Sequence, residues 1–189
     1  MMFSSSRDPM PFKIVHCGVN ITEFKFRLPR KQVKRVLCVA RMSPEKGLNF
    51  LIEAFKVLLD RGYKIQLRLV GSGVDEPALK IMVKDLGIEN EVKFLGHRPE
   101  AEVRKELENA DIFVLPSFVE GVPVSAMEAM AVGVPVIATN VGGTSELIQD
   151  GVSGILVRPS DSAHICEQMI RLISDAGLRK KIAQFGRQK

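Results

Sequence analysis

The sequence predicts an α/β fold, a three-layer sandwich built on a mostly parallel six-stranded sheet. Two observations carry that expectation. From residue 33 onward, short apolar, β-branched runs alternate with longer segments of helical period, the mark of a parallel sheet covered by helices on both faces. Most of those runs are also too continuously apolar for strands wetted on one side, so they belong in the interior. A chain of 189 residues, 46% hydrophobic and 26% charged, can bury one core and is too short for a large multidomain assembly.

The first strand is expected at Val36 to Ala40. Behind it Leu51, Phe55, Leu58 and Leu59 repeat at helical spacing, and Gly62 sits where that helix should end. The second strand, Ile65 to Val70, leads to a stripe of Leu79, Met82, Val83 and Leu86 closed by Gly87. The third, Val92 to Leu95, precedes a helix marked by Val103 and Leu107. The fourth, Ile112 to Leu115, opens through a loop into a helix with Pro123 near its first position, where a missing N–H is harmless. After the fifth, Val134 to Ala138, Gly142-Gly143 reads as a tight turn into a helix capped by Thr144, with an anion-binding amide pair as the second reading. The sixth, Gly154 to Val157, is followed by Ile165, Met169, Leu172 and Ile173, with Ser160 or Asp161 available as the cap. Residues 1–32 are expected to be a disordered start and inter-domain linker, and residues 33–189 the folded domain.

Several function classes are disfavoured at once. No apolar run approaches the roughly 18 to 20 residues of a membrane span, and MMFSSSRDPM lacks the apolar core of a signal peptide. Cys17, Cys38 and Cys166 lie far apart with no CxxC spacing, which favours a reducing cytoplasm over a disulfide framework or zinc site. The net charge of +5 is spread along the chain, and with one Tyr and no Trp there is little for bases to stack on, so no nucleic-acid partner is expected. His16, His97 and His164 show no metal-ligand spacing and no Asp-x-Asp string is present, so neither metal nor other cofactor is expected.

In an open parallel sheet ligands bind beyond the carboxyl ends of the strands, so the strand-to-helix loops carry the chemistry. The loop after the first strand places Arg41 and Lys46 five residues apart, a flat fork and a mobile point charge that suit a diphosphate; solvated surface cations are the plain alternative. The loop after the fourth strand runs from Pro116 through Glu120 to Pro123, and the helix tip behind it offers free N–H groups to an anion. Glu128, in a segment otherwise made of Ala, Met and Val, needs donors to tolerate burial. Vicinal ribose hydroxyls could supply them, as could nearby backbone.

Arg41-x4-Lys46-Gly47, Val70-Gly-Ser-Gly73, Phe94-Leu-Gly96 and above all Glu120-Gly-Val-Pro-Val-Ser-Ala-Met-Glu128-Ala-Met-Ala-Val-Gly-Val-Pro-Val-Ile-Ala138 resemble the retaining glycosyltransferases of the glycosyl-transferases-group-1 type. The resemblance runs from about Gly18 to the end. It implies one half of a GT-B architecture of two Rossmann-like domains, namely the C-terminal half that binds a nucleoside diphosphate sugar, without the N-terminal acceptor-binding domain. It further implies Arg41 and Lys46 on the donor diphosphate, Glu120 on the hydroxyls of the transferred hexose and Glu128 on the ribose. The backbone of Gly121, Val122, Pro123 and Val124 would cradle sugar and phosphate, with Gly71 and His97 near the base. Polysaccharide or glycolipid synthesis is the implied setting. Asn20 stands where the pattern has Asp.

Three other readings stand beside this one. Val70-Gly-Ser-Gly-Val-Asp-Glu76 resembles the start of a dinucleotide fingerprint but lacks its third glycine and its later acid. Arg179-Lys180-Lys181 reads as a solvated helix face, with peripheral contact to a membrane surface for a lipid-linked acceptor as the second possibility. The rivals for function are a non-catalytic nucleotide-binding module and half of a sugar-nucleotide epimerase or phosphorylase.

Overall fold

The computed structural model describes residues 18–189. His16, Cys17 and the opening MMFSSSRDPM lie outside the described residues. Six strands form one sheet: β1 (Arg35–Val39), β2 (Gln66–Val70), β3 (Val92–Phe94), β4 (Ile112–Leu115), β5 (Val136–Thr139) and β6 (Ile155–Val157). Their order is β3-β2-β1-β4-β5-β6 and every pairing is parallel, so the expected mostly parallel sheet is wholly parallel. Strand order reverses between β1 and β4, the topological switch point of a Rossmann-like sheet, where ligands bind. β4 and β5 are buried throughout, whereas β3 at the edge is half-exposed, as a strand with one neighbour allows.

Each strand but the last feeds one helix, and the helices divide between two faces. α1 (Leu48–Asp60), α2 (Glu76–Asp85) and α6 (Ser162–Ser174) cover the face that carries Val36, Cys38, Leu67, Leu69, Ile112 and Val114. α3 (Glu100–Asn109) and α4 (Val124–Val132) cover the opposite face, against Leu37, Phe113, Leu115 and Val136. Successive side chains alternate between the two cores, as the period of a strand requires. Asp161 caps α6 by accepting the His164 N–H at 2.8 Å. The short helix α5 (Thr144–Leu147) corrects the expected cap: Gly143 is its N-cap, and the Thr144 hydroxyl is buried without a partner.

The final helix, α7 (Ala176–Gln188), contacts both α4 and α6 and so bridges the two layers. It overturns the solvated reading of Arg179. That side chain is 1% exposed and donates to the carbonyls of Leu172, Ile173, Arg30 and Lys31, while Lys180 and Lys181 are exposed as expected. Burial of Arg179 is tolerated because the guanidinium is directed at carbonyl oxygens. Residues 19–31 run along the same side as a strap. Phe24 is buried, the Arg27 N–H donates to Val132 O at 2.9 Å, and Arg187 donates to the carbonyls of Phe24 and Ile21.

Candidate active site

Four loops meet at the carboxyl edge of the sheet, and backbone contacts stitch them together. Ala40 N–H donates to Val70 O, Met42 N–H to Ser72 O, Gly71 N–H to Gly96 O and Phe118 N–H to Glu45 O. Glycine is required where the chains approach most closely. A Cβ on Gly71 would strike Ala40 O, one on Gly47 would strike Pro116 O, and one on Gly142 would strike Glu120 O. Gly71 therefore serves loop packing, which explains the aborted dinucleotide pattern around it.

After β1, a 3₁₀ turn at Pro44–Lys46 ends at Gly47 in the left-handed region. This directs Lys46 across the switch point, where its Nζ lies 2.7 Å from Oε1 of Glu120 on the loop after β4. The two residues are 74 positions apart in sequence, and their side chains are 17% and 11% exposed. Burial reduces solvent screening of the attraction, but it also costs each group its hydration, so breaking the pair by removing one partner is penalised more than at the surface. Cys38 beneath it feels both charges, and burial pushes its thiol up to about 12, which leaves a neutral floor under the pair.

Arg41 is arranged differently. Its side chain is 71% exposed, and its one polar contact among the described residues is with Glu45, at 3.0 Å. The expected convergence of two cations is thus not the resting arrangement: Lys46 is engaged by Glu120, and Arg41 lies at the rim. Arg41 does share a cavity of about 430 Å³ with Gly71, Ser72, His97 and Arg98, which brings together three of the residues selected from sequence.

α4 begins directly after Pro123, so the first-turn amides at Val124 and Ser125 have no partner within the helix. Gly121 and Val124 are exposed, and Gly121 O lies against Gly143. Val122 lines a separate apolar hollow of about 330 Å³ with Gly18, Val19, Met127 and Leu147, so its side chain belongs to the strap side. Glu128 lies on a helix buried almost all round and is half-buried itself. Burial first, and Glu100 second, hold its carboxyl above the usual carboxylate range, while Arg104 acts in the opposite sense. No hydrogen bond from the described residues contributes, so the backbone-satisfied alternative is not what the structure contains. Among the described residues no three His, Cys, Asp or Glu side chains are grouped as a metal site.

Sequence reasoning missed Arg104, Ser117 and the strap. The Ser117 hydroxyl is buried beside this edge with no partner among the described residues. Asn20, the departure from the family pattern, donates through Nδ2 to Glu23 Oε1 at 3.0 Å, which a carboxylate could not do.

The model of the family described as glycosyl transferases group 1 matches residues 20–189. Amylovoran biosynthesis glycosyltransferase AmsK of Erwinia amylovora is 36% identical over 167 residues, 84% of this chain and 41% of that protein. The uncharacterized glycosyltransferase MJ1607 of Methanocaldococcus jannaschii is 32% identical over 194 residues, 96% of this chain and 49% of that protein. The chain therefore spans between two fifths and one half of these curated relatives. The C-terminal domain of the glycosyl transferase group 1 family protein LpcC from Francisella tularensis superposes with a TM-score of 0.80 at 31% identity, covering 90% of this chain and 95% of that one. Anabaena Alr3699/HepE in complex with UDP-glucose superposes with a TM-score of 0.83 at 27% identity, covering 93% and 51%. The chain belongs to the glycosyl transferases group 1 family, with the fold of a GT-B C-terminal half.

Proposed function

We propose that residues 33–189 bind the donor of a retaining glycosyltransferase that moves a hexose from a nucleoside diphosphate sugar to a hydroxyl acceptor. The observation that carries this reading is the Lys46–Glu120 pair at the switch point. It sets a cation for the diphosphate and a carboxylate for sugar hydroxyls side by side, beside the open tip of α4. In transfer, the bond between the anomeric carbon and the β-phosphate oxygen breaks, the acceptor oxygen replaces it, and the acceptor hydroxyl's proton passes to the departing diphosphate. The site's task is to stabilise the charge growing on the departing diphosphate. Lys46, Arg41 released from Glu45, and the α4 amides supply positive potential there; Glu120 orients the sugar and Glu128 accepts from the ribose. The cavity at Gly71 and His97 takes the base, and the backbone from Gly121 to Val124 lies along sugar and phosphate.

UDP and UDP-glucose in complexes of Alr3699/HepE support a uridine nucleotide as the donor class. Retention, the hexose and the acceptor-binding N-terminal partner rest on the resemblance of the Glu-x7-Glu block. AmsK's name supports polysaccharide synthesis as the setting. A reducing cytoplasm is supported by Cys38 and Cys166, two buried free thiols. No helix among the described residues is long and apolar enough to cross a membrane. Calorimetry of the 189-residue chain with UDP, GDP and ADP tests the reading. Saturable binding of one of them, lost in Lys46→Met, is expected; no binding of any refutes it.

A further inference from the structure

The strap formed by residues 19–31 is anchored to the fold on one side and open on the other. It runs antiparallel to α7: Arg187 donates to the carbonyls of Ile21 and Phe24 near one end, and Arg179 to those of Arg30 and Lys31 near the other. Phe24 is buried, and Arg27 turns inward to the carbonyls of Glu108 and Ala110. These anchors leave Ile21, Phe26 and Leu28 outside, 51%, 36% and 49% exposed. They are three of the nine large apolar side chains exposed among the described residues, so this short segment concentrates them. Lys25, Arg30 and Lys31 are exposed beside them.

The strap ends at the amino edge of the sheet, where Arg30, Lys31, Lys34 and Arg35 line an open hollow of about 590 Å³. The acid in that hollow is already committed. Asp111 is 3% exposed and accepts from Arg30 Nη1 at 3.0 Å and from the N–H groups of Lys34 and Arg35 at 2.8 and 3.0 Å. Lys31, Lys34 and Arg35 have no ion-pair partner among the described residues. Because Arg179 holds the carbonyls of Arg30 and Lys31, the start of α7 lies alongside, and its Lys180 and Lys181 are exposed and likewise unpaired there. The remaining acids nearby do not cancel this charge. Glu23 is held by Asn20 and Arg104, Asp175 caps α7 through the Leu178 N–H, and Glu108 is half-buried towards Arg27.

We infer that the strap and the amino edge dock on an anionic lipid bilayer, with Leu28 and Phe26 at the headgroup boundary and the hollow of Lys31, Lys34 and Arg35 against the lipid phosphates. Charge complementarity selects this occupant, because unpaired cations without competing acids attract a negative surface. The apolar side chains select it further: single apolar groups set among cations suit the interface of a bilayer, whereas a protein partner would meet a desolvated core depleted of charge. Nucleic acid would use the same cations but leave Leu28 without a role. The surface lies at the opposite edge of the sheet from the switch-point cleft, so docking leaves the cleft open and the inference does not depend on the donor-site reading.

The test is co-sedimentation of the 189-residue chain with vesicles of phosphatidylcholine alone and of phosphatidylcholine containing phosphatidylglycerol. Binding to the anionic vesicles only is expected, and it should fall steeply as salt rises from about 0.1 M to about 0.5 M. Each cation removed from the surface should weaken partitioning about fivefold, so Lys31→Gln, Lys34→Gln and Arg35→Gln combined should weaken it about a hundredfold. Lys80→Gln, Lys105→Gln and Arg158→Gln combined remove the same charge from other parts of the surface and should change it by less than about threefold. Leu28→Ser should weaken it about threefold without altering its salt dependence. If the first triple variant fails to fold, Lys180→Gln with Lys181→Gln decides the matter, with about a twentyfold loss expected. Equal binding to neutral vesicles, no binding to anionic vesicles at low salt, equal losses in the two triple variants, or no effect of Leu28→Ser overturns the inference. So does a duplex DNA probe that binds more tightly than the anionic vesicles.

Discussion

Glu120→Gln is the substitution that separates the resting site from the working one. Lys46 and Glu120 are 2.7 Å apart and mostly buried, so a diphosphate bound as proposed would have to take the ammonium from a carboxylate and place its own charge beside that carboxylate. With charge centres about 4 Å apart and an effective dielectric near 20, the attraction is about 4 kcal/mol, most of it offset by desolvating the two groups. The amide removes both the competitor for Lys46 and the like charge. If about 1.4 kcal/mol of that conflict survives desolvation, UDP binds about tenfold more tightly to the variant. UDP-glucose should gain less, because the variant loses the carboxylate proposed to accept the sugar hydroxyls. Folding stability should fall by about 1 to 3 kcal/mol, since Lys46 is left partly buried with a weaker partner. Calorimetry with UDP and UDP-glucose, alongside thermal denaturation, reads all three effects. UDP binding unchanged or weakened in Glu120→Gln refutes the competition argument.

Gly142→Ala forces a Cβ into Glu120 O at φ +48°, whereas Gly62→Ala at φ +84° meets open space. The first should destabilise by more than the second, whose strain alone costs about 1 to 2 kcal/mol, and should also impair UDP-glucose binding; equal losses in thermal melts would show that the loop contact does not matter. Arg179→Met leaves four carbonyls without their donors and should cost about 2 to 4 kcal/mol, a melting-point drop of roughly 5 to 15 °C. Lys180→Ala on the exposed side should stay within about 0.5 kcal/mol, and a comparable drop for both would contradict the burial of Arg179.

The sheet was legible because buried parallel strands carry continuous apolar runs, and five of the strands fall within a residue or so of the segments chosen for them. β5 begins two residues later than expected, at Val136, because the Val134 N–H still donates to Ala129 O at the end of α4 and Pro135 has no N–H for the ladder. Its charged neighbours make Arg179 look solvated in the sequence, although its spacing carries the opposite signal: residues 179, 182, 183 and 186 are the buried face of α7. The strap reads as linker in the sequence because Pro29 and a basic cluster hide that Phe24 and Arg27 each find partners far away in the chain. At the site, residue types pointed to the two loops and α4. Which cation meets which carboxylate did not follow, because Lys46 and Glu120 come together only through the strand order of the sheet. The contacts of Arg104 with Glu23 and Phe24 are likewise invisible in the sequence, because the strap meets α3 only in the folded chain.

As proposed, Lys46 and the tip of α4 form a diphosphate site at the switch point. Calorimetry comparing UDP with UMP on the 189-residue chain, with and without Lys46→Met, tests it most directly. The account predicts that the second phosphate tightens binding by about tenfold or more and that Lys46→Met removes most of that difference. Equal affinity for UDP and UMP, or a diphosphate preference that survives loss of Lys46, would contradict it.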